Sequence, residues 1–418
     1  MVSARLDRRV LLIAFHFPPL AGSSGIQRTL RFVQQLPDFG WEPVVLTARE
    51  WVYERVSEDL LSSVPQTVHV RRAFALDAAR HLSMRGRYVG FTARPDRWAS
   101  WQFDGVRQGL KLIKEFRPRA IWSTFPIPTA HLIAEQLHRK SGLPWIADFR
   151  DPMAQDGYPT DPKLWASYDQ LERRTIKAAS ASVFTTPGAA RIYRQRYPFS
   201  ADKIGVLENG YDEESFACAE RSEPERYPLI PGLLTLLHSG IIYPTERDPT
   251  QLMKALQRLK SGGILSAANF RIRFRASVHD KLLQSLAQQQ QVADLIETLP
   301  PTSYSQALQE MRRADALLVM QSSGCNEQIP AKVYEYLRAK RPIICLSDPA
   351  GDTANVLRNA GLTAIARLDD VDDIEHTMMH FLCAVRSGEA TLADPQAVNR
   401  ASRHGRSGDL AGLLNRLT

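Results

Sequence analysis

The stretch Ser322–Asp348, SSGCNEQIPAKVYEYLRAKRPIICLSD, predicts a loop, a helix and a buried strand in succession. Pro330 is placed to open the helix, because a first-turn position does not need the N–H that proline lacks. Apolar residues at helical spacing from Ala331 onward give the helix a face that can dock on a sheet. Pro342 ends the helix ahead of the strand Ile343–Leu346. The stretch therefore predicts one helix–strand unit of an α/β domain.

The same stretch holds two glutamates, Glu327 and Glu335, with seven residues between them. We expect Glu327 in the loop just before the helix and Glu335 about one and a half turns inside it. Backbone N–H groups at a helix start attract phosphate, so a carboxylate beside them is better suited to accept hydrogen bonds from hydroxyls. Pyrophosphate at the helix start, with a sugar on one side and a ribose on the other, fits a nucleotide-sugar. The competing interpretation is a surface helix with two solvated glutamates.

A second segment, HSGIIYPTERDP, carries residue types suited to a diphosphate. Gly240 ends a predicted strand, and Arg247 precedes a helix that Pro249 opens. A glycine allows a ligand to approach the backbone closely, and a guanidinium makes bidentate contacts to phosphate. Lys332, in the helix of the first stretch, is the best candidate for a second cation. The alternative is an exposed arginine that only caps a loop.

The N-terminal half contributes two candidate loops. The first predicted strand runs into HFPPLAGSSG, where His16 follows the strand and Gly25 lies near the start of a helix. A strand, a glycine-containing loop and a helix form a ligand-approach site in many α/β folds. LPWIADFRDP places Asp148, Arg150 and Asp151 at the end of another strand, where parallel sheets bind ligands. Asp151 could orient or deprotonate an acceptor hydroxyl and Arg150 could contact acceptor phosphate, unless an arginine–aspartate ion pair merely supports the loop.

Length and composition set the frame for these motifs. At 418 residues the chain is long enough for two α/β domains, and 44% hydrophobic with 23% charged residues argues against disorder. No apolar run is long enough to span a membrane. The arginines before VLLIAFHF resemble the start of a signal peptide, but the apolar run is short and lacks a cleavage site. The scattered cysteines Cys218, Cys325, Cys345 and Cys383 favour a reducing cytosol over disulfides or zinc.

Strand and helix patterns alternate along both halves of the chain, and a proline-rich, charged segment, Ala219–Gly232, separates them. Repeated strand–helix units with short connections indicate parallel, doubly wound sheets. We expect an N-terminal Rossmann-like domain over residues 1–220, a linker over 221–232 and a C-terminal Rossmann-like domain over 233–395. Residues 396–418 are expected to form a terminal helix.

These motifs together resemble the retaining glycosyltransferases of family 4 and their GT-B fold, and the resemblance covers nearly the whole chain. It implies two Rossmann-like domains that face a central cleft. The first domain would lie on the acceptor side and the second would bind the nucleotide-sugar. The terminal helix would pack back on the first domain.

The resemblance also implies roles for the candidate residues. Glu327 would face the donor sugar and Glu335 would hold the ribose. The donor-binding set that the resemblance implies is Gly25, Gly240, Arg247, Glu327, Gln328, Ile329, Lys332 and Glu335. The catalytic set is Glu327, Asp151, Arg247 and Lys332, and the acceptor side is Arg150, Asp148 and His16.

The sequence departs from the family pattern in three places. Proline follows Glu327-Gln328-Ile329 where Phe-Gly is commoner after the first glutamate. The common R-x-x-x-K-G spacing is lacking, which leaves Arg247 as the expected cation. Asp148-Phe149-Arg150-Asp151 stands where the family often has a histidine near the donor sugar.

The activity implied is transfer of a sugar from a nucleotide-sugar to a saccharide or lipid-linked saccharide, with retention of configuration, in exopolysaccharide, capsule or O-antigen type biosynthesis. No metal site and no cofactor beyond the nucleotide-sugar are expected. A GT-B sugar-nucleotide epimerase is an alternative, although only His16 or Asp151 would be available for its acid/base chemistry. A catalytically inactive, donor-binding scaffold subunit is the second alternative.

The net charge of +8 is concentrated between Val70 and Arg119, where twelve Lys/Arg stand against four Asp/Glu. No nucleic-acid-binding motif accompanies this charge, so an anionic membrane surface is the better match. The residues that would face it are Arg71, Arg72, Arg80, Arg85, Arg87, Arg94 and Arg97, interleaved with Phe74, Leu82, Tyr88, Phe91 and Trp98, and then Lys111 and Lys114. We expect a cytoplasmic protein that can lie on the inner face of the cytoplasmic membrane. A solvated basic face is the alternative.

Overall fold

The computed structural model describes residues 8–23, 25–83 and 90–418, and of Asp59, Phe91 and Thr92 it describes the backbone only. The chain forms two compact units. The first unit comprises Met1–Asn209 together with Arg403–Thr418, and the second comprises Gly210–Ser402.

The first unit is built on a seven-stranded sheet. Its strands are β1 (Arg9–Ile13), β2 (Glu42–Ala48), β3 (His69–Ala73), β4 (Ala120–Thr124), β5 (Trp145–Arg150), β6 (Ala181–Phe184) and β7 (Ile204–Val206). Its first six helices are α1 (Gly25–Gln35), α2 (Ala78–His81), α3 (Trp101–Phe116), α4 (Thr129–Ser141), α5 (Pro162–Ala178) and α6 (Pro187–Arg196). The strand order is β3-β2-β1-β4-β5-β6-β7, and the pairings are parallel.

The second unit is built on a six-stranded sheet. Its strands are β8 (Leu234–Ser239), β9 (Phe270–Arg275), β10 (Ile296–Leu299), β11 (Ala316–Met320), β12 (Ile343–Leu346) and β13 (Ile365–Ala366). Its helices are α7 (Glu213–Ser222), α8 (Thr250–Ser261), α9 (Asp280–Gln289), α10 (Tyr304–Arg313), α11 (Lys332–Arg338), α12 (Asp352–Asn359), α13 (Val371–Ser387) and α14 (Pro395–Arg400). The parallel order is β10-β9-β8-β11-β12-β13.

The last helix, α15 (Arg403–Leu417), returns to the first unit and packs on α1. Short 3-10 helices are Leu36–Phe39, Glu50–Val52, Glu58–Leu60, Gly90–Ala93, Pro198–Lys203, Ala293–Leu295 and Ser323–Cys325. In the part of the chain that the structure describes, no helix is long and apolar enough to cross a membrane.

Alternation along the strands explains why each sheet is covered on both faces. Leu11 and Ile13 of β1 point into one core, while Val10 and Leu12 point into the core on the other face of the sheet. All four side chains are fully buried. A parallel sheet buried on both faces reads as a continuous apolar run, which is why VLLI predicts this strand.

Side chains that cap backbone N–H groups explain where α5 and α10 begin. The Asp161 side chain accepts from the N–H of Leu164 at 2.8 Å and Pro162 opens α5. Ser303 and Gln306 form a reciprocal capping box at the start of α10. These contacts satisfy N–H groups that a helix start leaves without partners.

Three boundaries differ from the sequence prediction. The sequence pattern predicts a helix over Val106–Phe116 and another through Tyr168–Ala179, whereas α3 begins at Trp101 and α5 at Pro162. The segment Ala219–Gly232 is not a bare connection in the structure. It begins inside α7, and its remainder is hydrogen-bonded within the second unit, where the Arg313 Nε donates to the Tyr227 carbonyl at 3.0 Å.

Candidate active site

The order of strands shows where each unit can bind a ligand. In the first unit the order reverses between β1 and β4, and in the second between β8 and β11. Open α/β sheets bind ligands beyond the carboxyl ends of the strands at such a reversal. Gly240 directly follows β8, and the loop that carries Glu327 follows β11. His16 follows β1, and Arg150 ends β5, which is separated from β1 by β4.

In the second unit, Gly240 and Lys332 fit against each other. Gly240 has a φ of +134°, which side chains rarely adopt, and a Cβ there would overlap the Lys332 ammonium. The ammonium donates a hydrogen bond to the Ser239 carbonyl. The missing side chain of Gly240 therefore leaves space for the half-buried Lys332 ammonium at the end of β8.

A second cation lies near the first. The Arg247 Nη1 donates to the Ile241 carbonyl at 2.6 Å, and the guanidinium packs over the Tyr243 ring at 5.2 Å. Burial, reinforced by the positive charge of Arg247, lowers the pKa of Lys332 to about 7, although Glu335 opposes the shift. Two cations held close together in a site that is costly for positive charge are suited to a polyanionic ligand.

The two predicted glutamates, Glu327 and Glu335, lie in different local structures. Glu335 lies in the first turn of α11, where its Oε1 accepts a hydrogen bond from the Tyr304 hydroxyl at 2.9 Å. Glu327 is half-buried in the loop between the 3-10 helix Ser323–Cys325 and α11. Sequence reasoning missed Tyr304, which belongs to a distant helix and shows no motif.

The loop around Glu327 is held by two buried polar side chains that sequence reasoning also missed. The Gln321 Nε2 donates to the carbonyls of Cys325 and Gln328, at 2.6 and 3.1 Å. The Thr353 hydroxyl donates to Gln321 Oε1 at 2.7 Å and approaches the Gln328 carbonyl at 3.1 Å. These contacts fix the backbone on both sides of the glutamate.

The predicted helix start at Pro330 is wrong by two residues. Helix α11 begins at Lys332, so Glu335 lies in its first turn and not one and a half turns inside. The Gln328 carbonyl, near the expected start, is engaged by side chains. The Gln328 side chain is exposed, whereas that of Ile329 is packed in the core. A ligand contact at Ile329 would therefore come from its backbone.

In the first unit, His16, Gly25 and Arg150 come together. A Cβ at Gly25 would lie 2.7 Å from Arg150 Nη1 and 2.9 Å from His16 Nδ1. The His16 Nδ1 is 2.9 Å from the Ser23 hydroxyl. Burial, assisted by the positive charge of Arg150, lowers the pKa of His16 to about 4, so the imidazole is neutral at pH 7.

Asp148 does not lie on the acceptor side, where the sequence predicted it. It is fully buried and binds Arg28, with Arg28 Nε 2.8 Å from Asp148 Oδ2. Arg28 also donates to the Leu207 and Glu208 carbonyls, at 2.8 and 3.0 Å. An enclosed, paired carboxylate cannot reach an acceptor, so Asp148 supports the loop. The predicted internal ion pair exists, but its arginine is Arg28.

Asp151 remains an exposed carboxylate at the end of β5. The loop that follows it is anchored by Glu172, which is fully buried and accepts from the Ala154 N–H at 2.9 Å and the Tyr197 hydroxyl at 2.6 Å. Arg196 Nη1 lies 3.0 Å from the same carboxylate. The anchoring comes from distant helices and gives no local sequence signal.

The basic segment of the first unit is largely engaged in internal contacts. Arg71 pairs with Glu115 at 3.3 Å, Arg72 with Glu50 at 3.3 Å, Arg97 with Glu54 at 2.6 Å, and Arg80 donates to the Tyr53 carbonyl at 2.8 Å. Arg85, Arg87 and Tyr88 lie outside the described residues, as does the side chain of Phe91. Lys111 and Lys114 are exposed. Phe74, Leu82 and the neighbouring Trp51 are 38%, 43% and 48% exposed.

Comparison with known proteins adds a family match over part of the chain. Residues 24–210 match the family model described as Glycosyl transferase 4-like domain. No curated protein sequence matches the chain.

Solved structures resemble the whole chain. Sucrose-phosphate synthase from Thermosynechococcus elongatus aligns with a TM-score of 0.63 at 11% identity, covering 98% of this chain and 99% of that one. Anabaena HepE in complex with UDP aligns with a TM-score of 0.64 at 11% identity, covering 98% and 100%. A UDP-forming α,α-trehalose-phosphate synthase from Burkholderia xenovorans aligns with a TM-score of 0.60 at 11% identity, covering 98% and 99%. The fold is GT-B.

Proposed function

We propose that this glycosyltransferase-type enzyme moves a sugar from a nucleotide-sugar to a saccharide acceptor with retention of configuration. The GT-B fold and the match of residues 24–210 to the glycosyl transferase 4-like domain support a transferase. The observation that carries the proposal is the pair of cations, Lys332 and Arg247, beside the side-chain-free Gly240. Nucleotide-sugars are the donors because their leaving group, a nucleoside diphosphate, carries the opposite charge. The structural neighbour HepE has been solved with UDP and with UDP-glucose, which supports the same class of donor here.

The cation pair would act mainly on the leaving group. Negative charge accumulates on the diphosphate as the glycosidic bond breaks, and fixed cations lower the energy of that state without having to reorganise. Lys332 is partly deprotonated at neutral pH because its pKa is about 7. A bound diphosphate would hold the proton on the amine and raise that pKa. The missing side chain at Gly240 leaves the space in which the Lys332 ammonium lies.

The glutamates would orient the rest of the donor. Glu335 would accept from the ribose hydroxyls, and the Tyr304 hydroxyl that it binds fixes its direction. Glu327 would face the sugar ring. In the first unit, Asp151 would orient the acceptor hydroxyl. That hydroxyl would attack on the face that the diphosphate leaves, and the departing phosphate oxygen would take its proton.

The acceptor is proposed to be a saccharide or lipid-linked saccharide of surface-polysaccharide type. The support for a lipid interface is the exposed apolar group Trp51, Phe74 and Leu82, since aromatic side chains settle at membrane interfaces. The ion-paired arginines give less support than the sequence predicted, because a paired guanidinium has less charge to offer an anionic lipid. Co-sedimentation with anionic vesicles, but not neutral ones, at low salt is the expected result. If the protein does not bind anionic vesicles, the proposed acceptor is a soluble saccharide and not a lipid-linked one.

The donor assignment is tested with Glu335→Ala and Glu327→Ala. Loss of a hydrogen bond to a charged group is worth about 1.5–3 kcal/mol, so Glu335→Ala should weaken UDP binding by about tenfold or more in calorimetry. Glu327→Ala should keep the UDP affinity and lose turnover, because its partner is the sugar. Glu389→Ala, an exposed glutamate on the same unit, is the matched control.

The same experiments separate the alternatives. Equal UDP affinity in wild type and Glu335→Ala would refute the ribose assignment. A wild-type enzyme that binds nucleotide-sugars but neither transfers nor hydrolyses them would be a scaffold subunit. Conversion of one nucleotide-sugar into its epimer without release of nucleoside diphosphate would identify an epimerase.

A further inference from the structure

A basic pocket lies in the second unit, at the end of the sheet opposite to the proposed donor residues. Its volume is about 190 Å³, and the cations that line it are Arg226, Arg312, Arg313, Lys340 and Arg341. Arg341 lies just ahead of β12 and Arg313 just ahead of β11, whereas the loop with Glu327 follows β11. Since β11 has five residues and a strand rises about 3.3 Å per residue, roughly 17 Å of sheet separates the pocket from that loop.

The carboxylates around the basic pocket already have partners. The glutamates that line it are paired as Glu220 with Arg338 at 2.9 Å, Glu223 with Arg313 at 3.5 Å, and Glu225 with the Tyr227 hydroxyl. Asp315 also acts on these cations, but it accepts from the Thr235 N–H at 2.8 Å and lies 3.6 Å from Arg226. Five cations therefore face four carboxylates, one of which is shared with Arg338, so the pocket has an excess of positive charge.

Arg341 is the half-buried cation that these carboxylates leave without a partner. Its Nε is fully buried and makes no hydrogen bond, and among the described residues no carboxylate lies within ion-pair distance of its guanidinium. Burial, reinforced by the positive charges of Arg226 and Arg312, lowers the pKa of Arg341 to about 10, although Asp315 opposes the shift. The guanidinium is still charged at pH 7. Because an unpaired buried charge is costly, an anion in the pocket would be stabilised there.

The neighbouring guanidiniums are held in place by the backbone. Arg226 Nη2 donates to the Ala314 carbonyl at 3.0 Å. Arg312 Nη1 donates to the carbonyls of Ala219 and Glu223, at 3.1 and 3.2 Å. Side chains that are already ordered lose little freedom when a ligand binds, which favours affinity.

We propose that the basic pocket binds a small free anion that carries phosphate groups, phosphate or pyrophosphate. Guanidiniums bind phosphate oxygens in a bidentate manner, and several cations together suit an anion with more than one charge. The pocket is smaller than the roughly 300 Å³ at which sites for drug-sized ligands begin, so it selects a small anion over a whole nucleotide-sugar. The inference goes beyond the proposed function, because no residue of the donor-binding set lines this pocket.

Two substitutions test the pocket. Arg341→Gln removes the half-buried charge, and Lys340→Asn removes the exposed one. Lys340 has a φ of +56°, a left-handed value that asparagine adopts more readily than most residues, so the second variant should fold. Lys281→Asn, at an exposed lysine of α9 in the same unit, is the matched control.

The experiment measures the binding of inorganic phosphate and of pyrophosphate by calorimetry, on the full chain saturated with UDP so that the proposed donor site is occupied. Wild type and Lys281→Asn should bind with equal affinity. Arg341→Gln should weaken binding by about tenfold or more, because it removes charge-assisted hydrogen bonds. Lys340→Asn should weaken it by about two- to fivefold, because an exposed charge contributes less. Each variant should keep its UDP affinity within about twofold of wild type.

Binding of either anion with this pattern supports the site, and the tighter of the two names the ligand. If UDP-saturated wild type binds neither anion, or if Arg341→Gln and Lys340→Asn bind both as wild type does, the proposal is overturned. If Arg341→Gln does not fold, Lys340→Asn against Lys281→Asn decides the question. If wild type binds no UDP but binds phosphate in an Arg341-dependent manner, the proposed donor fails while the basic pocket stands.

Discussion

Lys332, which we propose acts on the leaving diphosphate, illustrates how a functional position can reduce stability. In the folded protein its charged form is disfavoured by burial and by Arg247, which is why its pKa falls from 10.5 to about 7. A lysine with a depressed pKa costs the most stability below its folded pKa. The cost fades as pH rises from 7 towards 10.5 and is absent above that.

Lys332→Met should therefore stabilise the second unit while abolishing turnover. Each unit of pKa is worth about 1.36 kcal/mol, and loss of the hydrogen bond to Ser239 offsets part of the gain, so we expect about 2–3 kcal/mol at pH 7. The second unit contains no tryptophan, so its unfolding should be followed by far-UV circular dichroism. The advantage over wild type should shrink between pH 7 and 10. If Lys332→Met were less stable than wild type at pH 7, burial of the charged lysine would not be destabilising.

Single residues also mark the limit of sequence reasoning. Glu327, Glu335, Gly240 and Lys332 could be predicted as site residues because they lie in short motifs. Arg28 was missed because its partner Asp148 lies 120 residues away. Pairings of this kind are made by tertiary contact and leave no spacing signal.

At the scale of elements, the alternation of apolar strands and amphipathic helices predicted both sheets, because buried parallel strands are nearly continuous apolar runs. Boundaries were less predictable. Helix α11 starts late because Gln321 and Thr353 hold the preceding loop. Helix α3 starts earlier than predicted, at the fully buried Trp101. Packing of this side chain in the core favours a helical start that local propensity alone does not indicate.

The contact between α3 and α4 depends on two glycines. A Cβ at Gly105 would lie 2.5 Å from Ile133 Cδ1, and a Cβ at Gly109 would overlap Leu137. Alanine is favoured over glycine in a helix by about 1 kcal/mol, but overpacking costs about 1–3 kcal/mol. Gly105→Ala should therefore destabilise the first unit by about 1 kcal/mol.

Ile133→Val, which removes the clashing methyl group, should relieve Gly105→Ala, so that the two substitutions are not additive in a double-mutant cycle. All seven tryptophans lie in the first unit, so urea denaturation followed by tryptophan fluorescence reports on it alone. Gly412→Ala on α15, where the nearest atom would be 3.7 Å away, is the matched control and should be stabilising. Additive effects would mean that Ile133 moves freely.

At the scale of the whole molecule, the first unit is assembled from two segments that are far apart in the sequence. The first unit is completed by α15, which follows the entire second unit in sequence. Leu410, Ala411 and Leu414 of α15 are buried in the core that contains Trp41, whose Nε1 donates to Asn415 Oδ1 at 3.0 Å. The family resemblance implied that a terminal helix packs back on the first domain, whereas the glycines of α15, Gly405, Gly408 and Gly412, interrupt the apolar pattern that would indicate this role.

Removal of residues 403–418 should therefore unfold the first unit selectively. Burial of Leu410 and Leu414 alone contributes about 1.5–3 kcal/mol each to the stability of the first unit. Without α15, Trp41 should become exposed to water and its fluorescence should shift to the red. The circular-dichroism transition of the second unit should persist, because its core contains no residue of α15. Leu414→Ala should reproduce part of the loss, about 2–5 kcal/mol, whereas Arg416→Ala, at an exposed position, should be close to neutral. Unchanged tryptophan fluorescence in the shortened chain would show that the first unit closes its core without α15.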